Sequence, residues 1–144
     1  MNKKGFTLIE LLVVIAIIGL LSTLAVVALG QARVKARDSK RLSDMKQMQT
    51  ALELFYTDQG AYPVEATAVS LGDATHACLH SAGFVATGCA NPYMGMVPTD
   101  PTSVTTYYSY TGATDTYTIT SALEGVMSGF VAGAISLTPN GISQ

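Results

Sequence analysis

His76, Cys78, His80 and Cys89 are the chain's only histidines and cysteines, and they fall within one short stretch. Two chemistries suit that set. If the chain is exported, its two cysteines pair most simply with each other, and a Cys78–Cys89 bridge would contribute about 3 kcal/mol by the loop-entropy argument. The alternative is a tetrahedral Cys2His2 zinc site. The H-x-C-x-H spacing is unlike the common ligand pairs and an oxidising exterior favours the bridge, so the disulfide is the expectation and no metal is assigned. Spacing supports no Ser-His-Asp set, and there is no phosphate-cradling glycine loop. No enzymatic activity and no cofactor are expected. Tyr107, Tyr108 and Tyr110 could stack on single-stranded nucleic acid, but in an alternating strand they are better read as packing residues.

Glu10 is the second candidate, because it stands near the start of a long apolar run, where a carboxylate costs about 2.5–3.5 kcal/mol to insert in a membrane. It can snorkel to the headgroups. The sharper reading follows if the chain is cut after Gly5. Phe6 would then carry a new α-amine, and in a packed assembly that cation could meet Glu10 of a neighbouring copy, since a buried charge is tolerable when paired.

The element that positions these residues is the run itself. From Leu11 to Ala32 there is no Asp, Glu, Lys or Arg. As a helix rising about 1.5 Å per residue it spans roughly the hydrocarbon core of a bilayer. A secretory signal peptide has a shorter apolar region, about 7–15 residues, followed by a small-residue cleavage site. Here the small residue, Gly5, precedes the run, so cleavage at that point keeps the helix.

KKG-FTLIE followed by LLVVIAIIGLL resembles the class III leader and N-terminal helix of type IV pilins and of type II secretion pseudopilins. The resemblance implies a leader, residues 1–5, removed by a prepilin peptidase that also N-methylates Phe6. It implies a membrane and filament-core helix over 6–30, with Glu10 aiding subunit docking. Residues 31–144 would be the second half of the helix plus a globular head. The implied fold is α+β: one helix over about 6–59, its C-terminal half packed on a small antiparallel sheet. The implied partners are the membrane, inner-membrane assembly machinery and further copies of the chain. Expected first is a type IV pilus subunit at the cell surface, with a pseudopilin and a non-polymerising membrane-anchored protein as alternatives. Many Gram-negative pilins kink this helix with a proline; here none occurs before Pro63, leaving Gly19 and Gly30 as soft points.

Charge divides the chain more sharply than its net value of −2 suggests. All eight Lys and Arg lie at or before Lys46, and seven of the ten acids follow it. An acidic head above a basic helix segment, Arg33 to Lys46, could give sign-complementary contacts between copies. With no cation in the head, direct reading of duplex DNA is not expected. Positive-inside counting alone would put the head in the cytoplasm, but that rule holds weakly for long translocated domains, and the two-cysteine head favours the outside. The mean hydropathy of +0.35 reflects mostly the N-terminal run.

Residues 31–59 lack Gly and Pro, and Leu42, Met45, Met48 or Gln49, Leu52, Phe55 and Tyr56 share one helical face. Gly60 is a natural C-cap. Lys40 and Asp44 are spaced for an ion pair, and Arg33, Arg37 and Arg41 share a stripe. Between Pro63 and Pro101 periodicity is lost, which predicts a long connection with a turn of helix. TTYYSYT, then GATD, then TYTITSALE predicts a hairpin with Tyr117, Ile119, Ser121 and Leu123 facing the core. One or two further strands are expected over Val126 to Leu137, then a turn at Thr138-Pro-Asn-Gly. Pro98 to Pro101, PTDP, is similar to a turn of the major pseudopilins that is followed by calcium-binding carboxylates. Here Thr102 and Ser103 follow, with only Asp100 and Asp115 nearby, and a plain turn is expected.

Overall fold

The computed structural model describes residues 5–102 and 105–144. Lys3, Lys4 and the rest of the leader before Gly5, and Ser103 after the PTDP turn, lie outside the described residues. The chain forms two compact units, one up to Val34 and one over Lys35–Gln144. A single helix, α1 (Leu8–Gln59), contributes to both.

In the first unit the absence of charge after Glu10 has its direct consequence: large apolar side chains from Leu8 to Leu29 stand 45–78% exposed. Soluble surfaces rarely carry a contiguous apolar patch above a few hundred Å². By length and composition this part of α1 can cross a membrane.

In the second unit α1 has a different partner. Met45, Met48, Ala51, Leu52 and Phe55, three or four residues apart, are buried in one core cluster with Tyr108, Tyr110, Tyr117, Ile119, Ile135 and Leu137. Burying a side chain such as Leu52 fully contributes about 1.5–3 kcal/mol. Gly60 ends the helix with φ +73° and donates its N–H to the Tyr56 carbonyl at 2.8 Å.

The sheet facing α1 is antiparallel and five-stranded, in the order β1 (Glu65–Leu71), β4 (Tyr108–Ala113), β5 (Thr116–Leu123), β6 (Gly133–Thr138), β7 (Gly141–Ser143). A separate two-stranded ribbon joins β2 (Cys78–His80) to β3 (Gly83–Val85). The α+β architecture thus follows the expectation. The β4–β5 hairpin is also present, with Ala113 opposite Thr116 and therefore a tighter turn, Thr114–Asp115, than the expected GATD. Tyr117, Ile119 and Leu123 are buried, while Ser121 is only half-buried.

The stretch between Pro63 and Pro101 corrects the sequence reading. It holds three strands rather than a connection with a helical turn. Their signal is weak for physical reasons. β1 is an edge strand that buries only Leu71, so it needs no apolar alternation, and its pairing with β4 is interrupted between Glu65 and Val69. β2 and β3 are three residues each. The turn at Pro139-Asn140 leads into β7, an additional strand paired with β6.

Candidate functional site

The N-terminal residues are built from a local motif. Thr7 and Glu10 form a capping box: the Thr7 N–H donates to Glu10 Oε2 at 2.8 Å, the Thr7 hydroxyl donates to the same oxygen at 2.6 Å, and the Glu10 N–H donates to Thr7 Oγ1 at 3.4 Å. This exchange is why α1 begins at Leu8 rather than at Phe6. Both bonds to the carboxylate use Oε2; among the described residues Oε1 has no hydrogen-bond partner. Gly5 and Phe6 precede the helix in an irregular, exposed segment, with Phe6 79% exposed. The bond between them is therefore accessible backbone, outside any helical hydrogen-bond ladder. The T-x-x-E spacing was a readable capping signal that attention to the charge alone passes over.

In the second unit the basic stretch does something other than form a solvated face. Arg41 is 3% exposed, and all five of its N–H donors are used. Nε donates to Asp100 Oδ2 at 2.7 Å and Nη2 to Asp100 Oδ1 at 2.9 Å, a bidentate pair. Nη1 donates to Asp38 Oδ1 at 2.6 Å and to Glu124 Oε1 at 2.7 Å, and Nη2 also donates to the Thr102 hydroxyl. Arg37 makes its own bidentate pair with Glu124. Asp38, 1% exposed, accepts the N–H groups of Glu124 at 3.0 Å and Gly125 at 2.8 Å. Asp44 takes Lys40 at 3.1 Å, the pair expected from spacing, and the Tyr108 hydroxyl at 2.9 Å. Residues 38, 41 and 44 thus continue the buried face of α1 in polar form and tie it to the PTDP turn, the end of β5 and the start of β4.

These contacts set the titration of the acids. Burial raises the Asp100 carboxyl, but hydrogen bonds from Arg41 and from the N–H and hydroxyl of Thr102 outweigh it and hold the pKa at about 2. Glu124 is likewise held at about 2, chiefly by Arg37, with burial opposing and Arg41 adding to the effect. The Arg41 guanidinium is raised above its ordinary value, first by Asp100.

The network revises the expected contact between a basic segment and acidic heads of other copies. Arg37, Lys40 and Arg41 already have carboxylate partners within the chain. Among the described residues, Arg33, Lys35 and Lys46 have no ion pair and remain for other partners.

Cys78 and Cys89 form a disulfide, with Cα atoms 6.4 Å apart. The Cys2His2 zinc alternative fails with it, because both sulfurs are consumed in the bridge. His76 Nδ1 lies 3.0 Å from Asp73 Oδ1, and the Ala82 N–H donates to His80 Nδ1 at 2.8 Å. Tyr108 and Tyr110 are fully buried, as packing residues should be, and the Tyr110 hydroxyl donates to the Pro63 carbonyl at 2.7 Å. Calcium does not fit the residues at the PTDP turn. Both oxygens of Asp100 are occupied by Arg41, Asp115 is exposed in the β4–β5 turn, and no group of three acids, histidines or cysteines among the described residues could hold a metal ion.

Two family models match the chain: the prokaryotic N-terminal methylation motif over residues 1–26, and type II secretion system protein G over residues 28–129. A type II secretion system core protein G from Klebsiella pneumoniae is 34% identical over 101 residues, 69% of each chain. The one from Pectobacterium carotovorum is 39% identical over 62 residues, 43% of this chain and 40% of that protein. The type IV major pilin protein PilA of Myxococcus xanthus is 34% identical over 61 residues, 42% of this chain and 28% of PilA. The match spans less than half the length of the Pectobacterium protein and of PilA. No solved structure matches the chain.

Proposed function

The chain belongs to the type II secretion system protein G family, and we propose that it is a pseudopilin, a subunit that polymerises through its apolar N-terminal helix into a filament serving protein secretion. The observation that carries this reading is the extent of the family match, which runs beyond α1 through the end of β5 and so includes the head up to, but not including, β6 and β7.

The chemistry lies in processing and assembly, and no catalytic step is assigned to the chain. The precursor sits in the inner membrane through the apolar part of α1. A prepilin peptidase cuts between Gly5 and Phe6 and methylates the new amine. Inner-membrane machinery then extracts the subunit, and the helix exchanges lipid for the helices of other copies. Glu10 is suited to guide that exchange. Its Oε2 is satisfied within its own chain, while Oε1 is open to accept from the Phe6 amine of a neighbour. In an apolar medium such a pair favours the register in which both charges are matched.

A second reading, a type IV pilin building a surface filament, is favoured by the similarity to PilA. The test is expression in a secreting bacterium that lacks its own core protein G. Restored secretion, with a subunit starting at N-methylated Phe6, is the expected result. Long surface filaments without restored secretion would replace this reading with the pilin. A mature subunit that keeps residues 1–5 would overturn both. Glu10→Ala should abolish assembly; unaltered function in that variant would instead support a membrane-anchored protein that does not polymerise.

A further inference from the structure

We propose that the Arg41 guanidinium is a built-in cation that holds together three carboxylates of the second unit, so that this head folds independently of calcium. The geometry around Arg41 carries the inference.

Three carboxylates from three separate parts of the second unit converge on this guanidinium: Asp38 from α1, Asp100 from the turn before β4, and Glu124 from the end of β5. Asp38 Oδ1 and Glu124 Oε1 accept from the same nitrogen, Nη1, at 2.6 and 2.7 Å, the short distances of charge-assisted hydrogen bonds. Asp100 closes the fork bidentately, and Thr102 contributes both its hydroxyl oxygen to Arg41 and its N–H to Asp100 Oδ1 at 2.8 Å. The carboxylates thus surround a cation that is covalently attached to the helix. Without that charge the carboxylates would repel one another at a site where Arg41, Asp38 and Asp100 are each less than a tenth exposed.

An attached cation differs from a bound one in a way that can be measured. A calcium site empties when calcium is chelated, and stability then depends on free ion concentration. A guanidinium remains charged throughout the working pH range and cannot be removed. The turn at Pro98–Pro101 and the β5 end are therefore held to α1 whatever the calcium level.

The experiment uses the full chain in detergent micelles, melted while following the near-ultraviolet circular dichroism of its tyrosines, all of which lie in the second unit. With excess EDTA and with millimolar calcium the wild-type Tm should be the same, and isothermal titration with calcium should give no saturable heat. A Tm that falls on chelation, or calcium binding with a defined stoichiometry, would overturn the proposal. Arg41→Met removes the charge while keeping much of the side-chain volume, and should lower the Tm by at least about 10 °C. An Arg41→Met chain as stable as wild type would also overturn it. Should that variant fail to fold, the wild-type titration still decides calcium independence, and Arg41→Lys, expected to melt between wild type and Arg41→Met, tests the charge in a folded chain; a Lys variant no more stable than the Met variant would refute the role assigned to charge. These outcomes are separate from those of the secretion assay, since a calcium-dependent head could still restore secretion and a calcium-independent one could fail to.

Discussion

Asp38→Asn is the substitution that asks most directly whether the polar face of α1 holds the head together. The change is isosteric, so it opens no cavity and leaves packing intact. What it alters is the pattern of donors. Asp38 Oδ1 accepts from Arg41 Nη1 and the Glu124 N–H, and Oδ2 accepts from the Gly125 N–H. An asparagine in either orientation places its NH2 against at least one of these N–H groups, and it removes the negative charge facing Arg41. A buried donor left without a partner costs about 1–3 kcal/mol, and a bond to a charged group is worth about 1.5–3 kcal/mol. Part of the loss is recovered by the amide oxygen, which gives an expected destabilisation of about 2–4 kcal/mol. Urea unfolding of the detergent-solubilised chain, followed through its tyrosines, measures this as a shift in midpoint at constant slope. Lys40→Ala is the comparison, because Lys40 is 54% exposed and Asp44 keeps the Tyr108 hydroxyl when it is removed. It should cost less than about 1 kcal/mol. An Asp38→Asn chain within about 0.5 kcal/mol of wild type, or a Lys40→Ala chain equally destabilised, would refute the reasoning.

Acid should weaken the head late. Asp100 and Glu124 have folded pKa values near 2, below their ordinary values of 3.8 and 4.5, so their stabilisation is complete above the ordinary values and is lost as pH falls through about 4 to 2. A Tm that is flat to about pH 4.5 and then drops is the expected profile, and a drop beginning near pH 6 would contradict this assignment. Gly112→Ala should destabilise by about 2–4 kcal/mol, because a Cβ there would overlap the Pro63 carbonyl oxygen and the Tyr110 hydroxyl, forcing apart the bond between them. Adding Tyr110→Phe should recover part of that loss; a purely additive double variant in urea unfolding would show the clash to lie elsewhere. Replacing Cys78 and Cys89 together by serine should cost about 3 kcal/mol for a bridge closing a loop of sequence separation 11, and a midpoint unchanged by reductant in the wild type would contradict this.

The parts of the fold legible in the sequence are those with a period or a strong local punctuation mark. Met45, Met48, Leu52 and Phe55 recur at helical spacing, Gly60 stops the helix, and Tyr117, Ile119 and Leu123 alternate along a strand. β1 is hidden because an edge strand with one buried residue, Leu71, has no pattern to display. The polar network is hidden for another reason. Asp38, Arg41 and Asp44 continue the apolar stripe of α1, but charged residues at such positions read as surface unless their partners are known, and the partners of Arg41 lie 59 and 83 residues away. The Arg33, Arg37, Arg41 stripe was visible, whereas its convergence with Glu124 depends on tertiary structure. Glu10 stood out as a charge, while its bond to Thr7 required attention to a spacing of three.

The interruption in β1 has a consequence for how precursors wait. Before assembly, subunits anchored by α1 would be confined to two dimensions, at an effective concentration that favours any sticky surface. An open sheet edge is such a surface, since its unpaired N–H and C=O groups can zip to a second edge. β1 is an edge of the five-stranded sheet, and it carries Glu65 at its start and a break in its pairing before Val69. A charge and a bulge make that edge a poor template for a second strand. The same irregularity that conceals β1 in the sequence would let a crowded reservoir of heads remain separate until their helices are drawn out of the lipid.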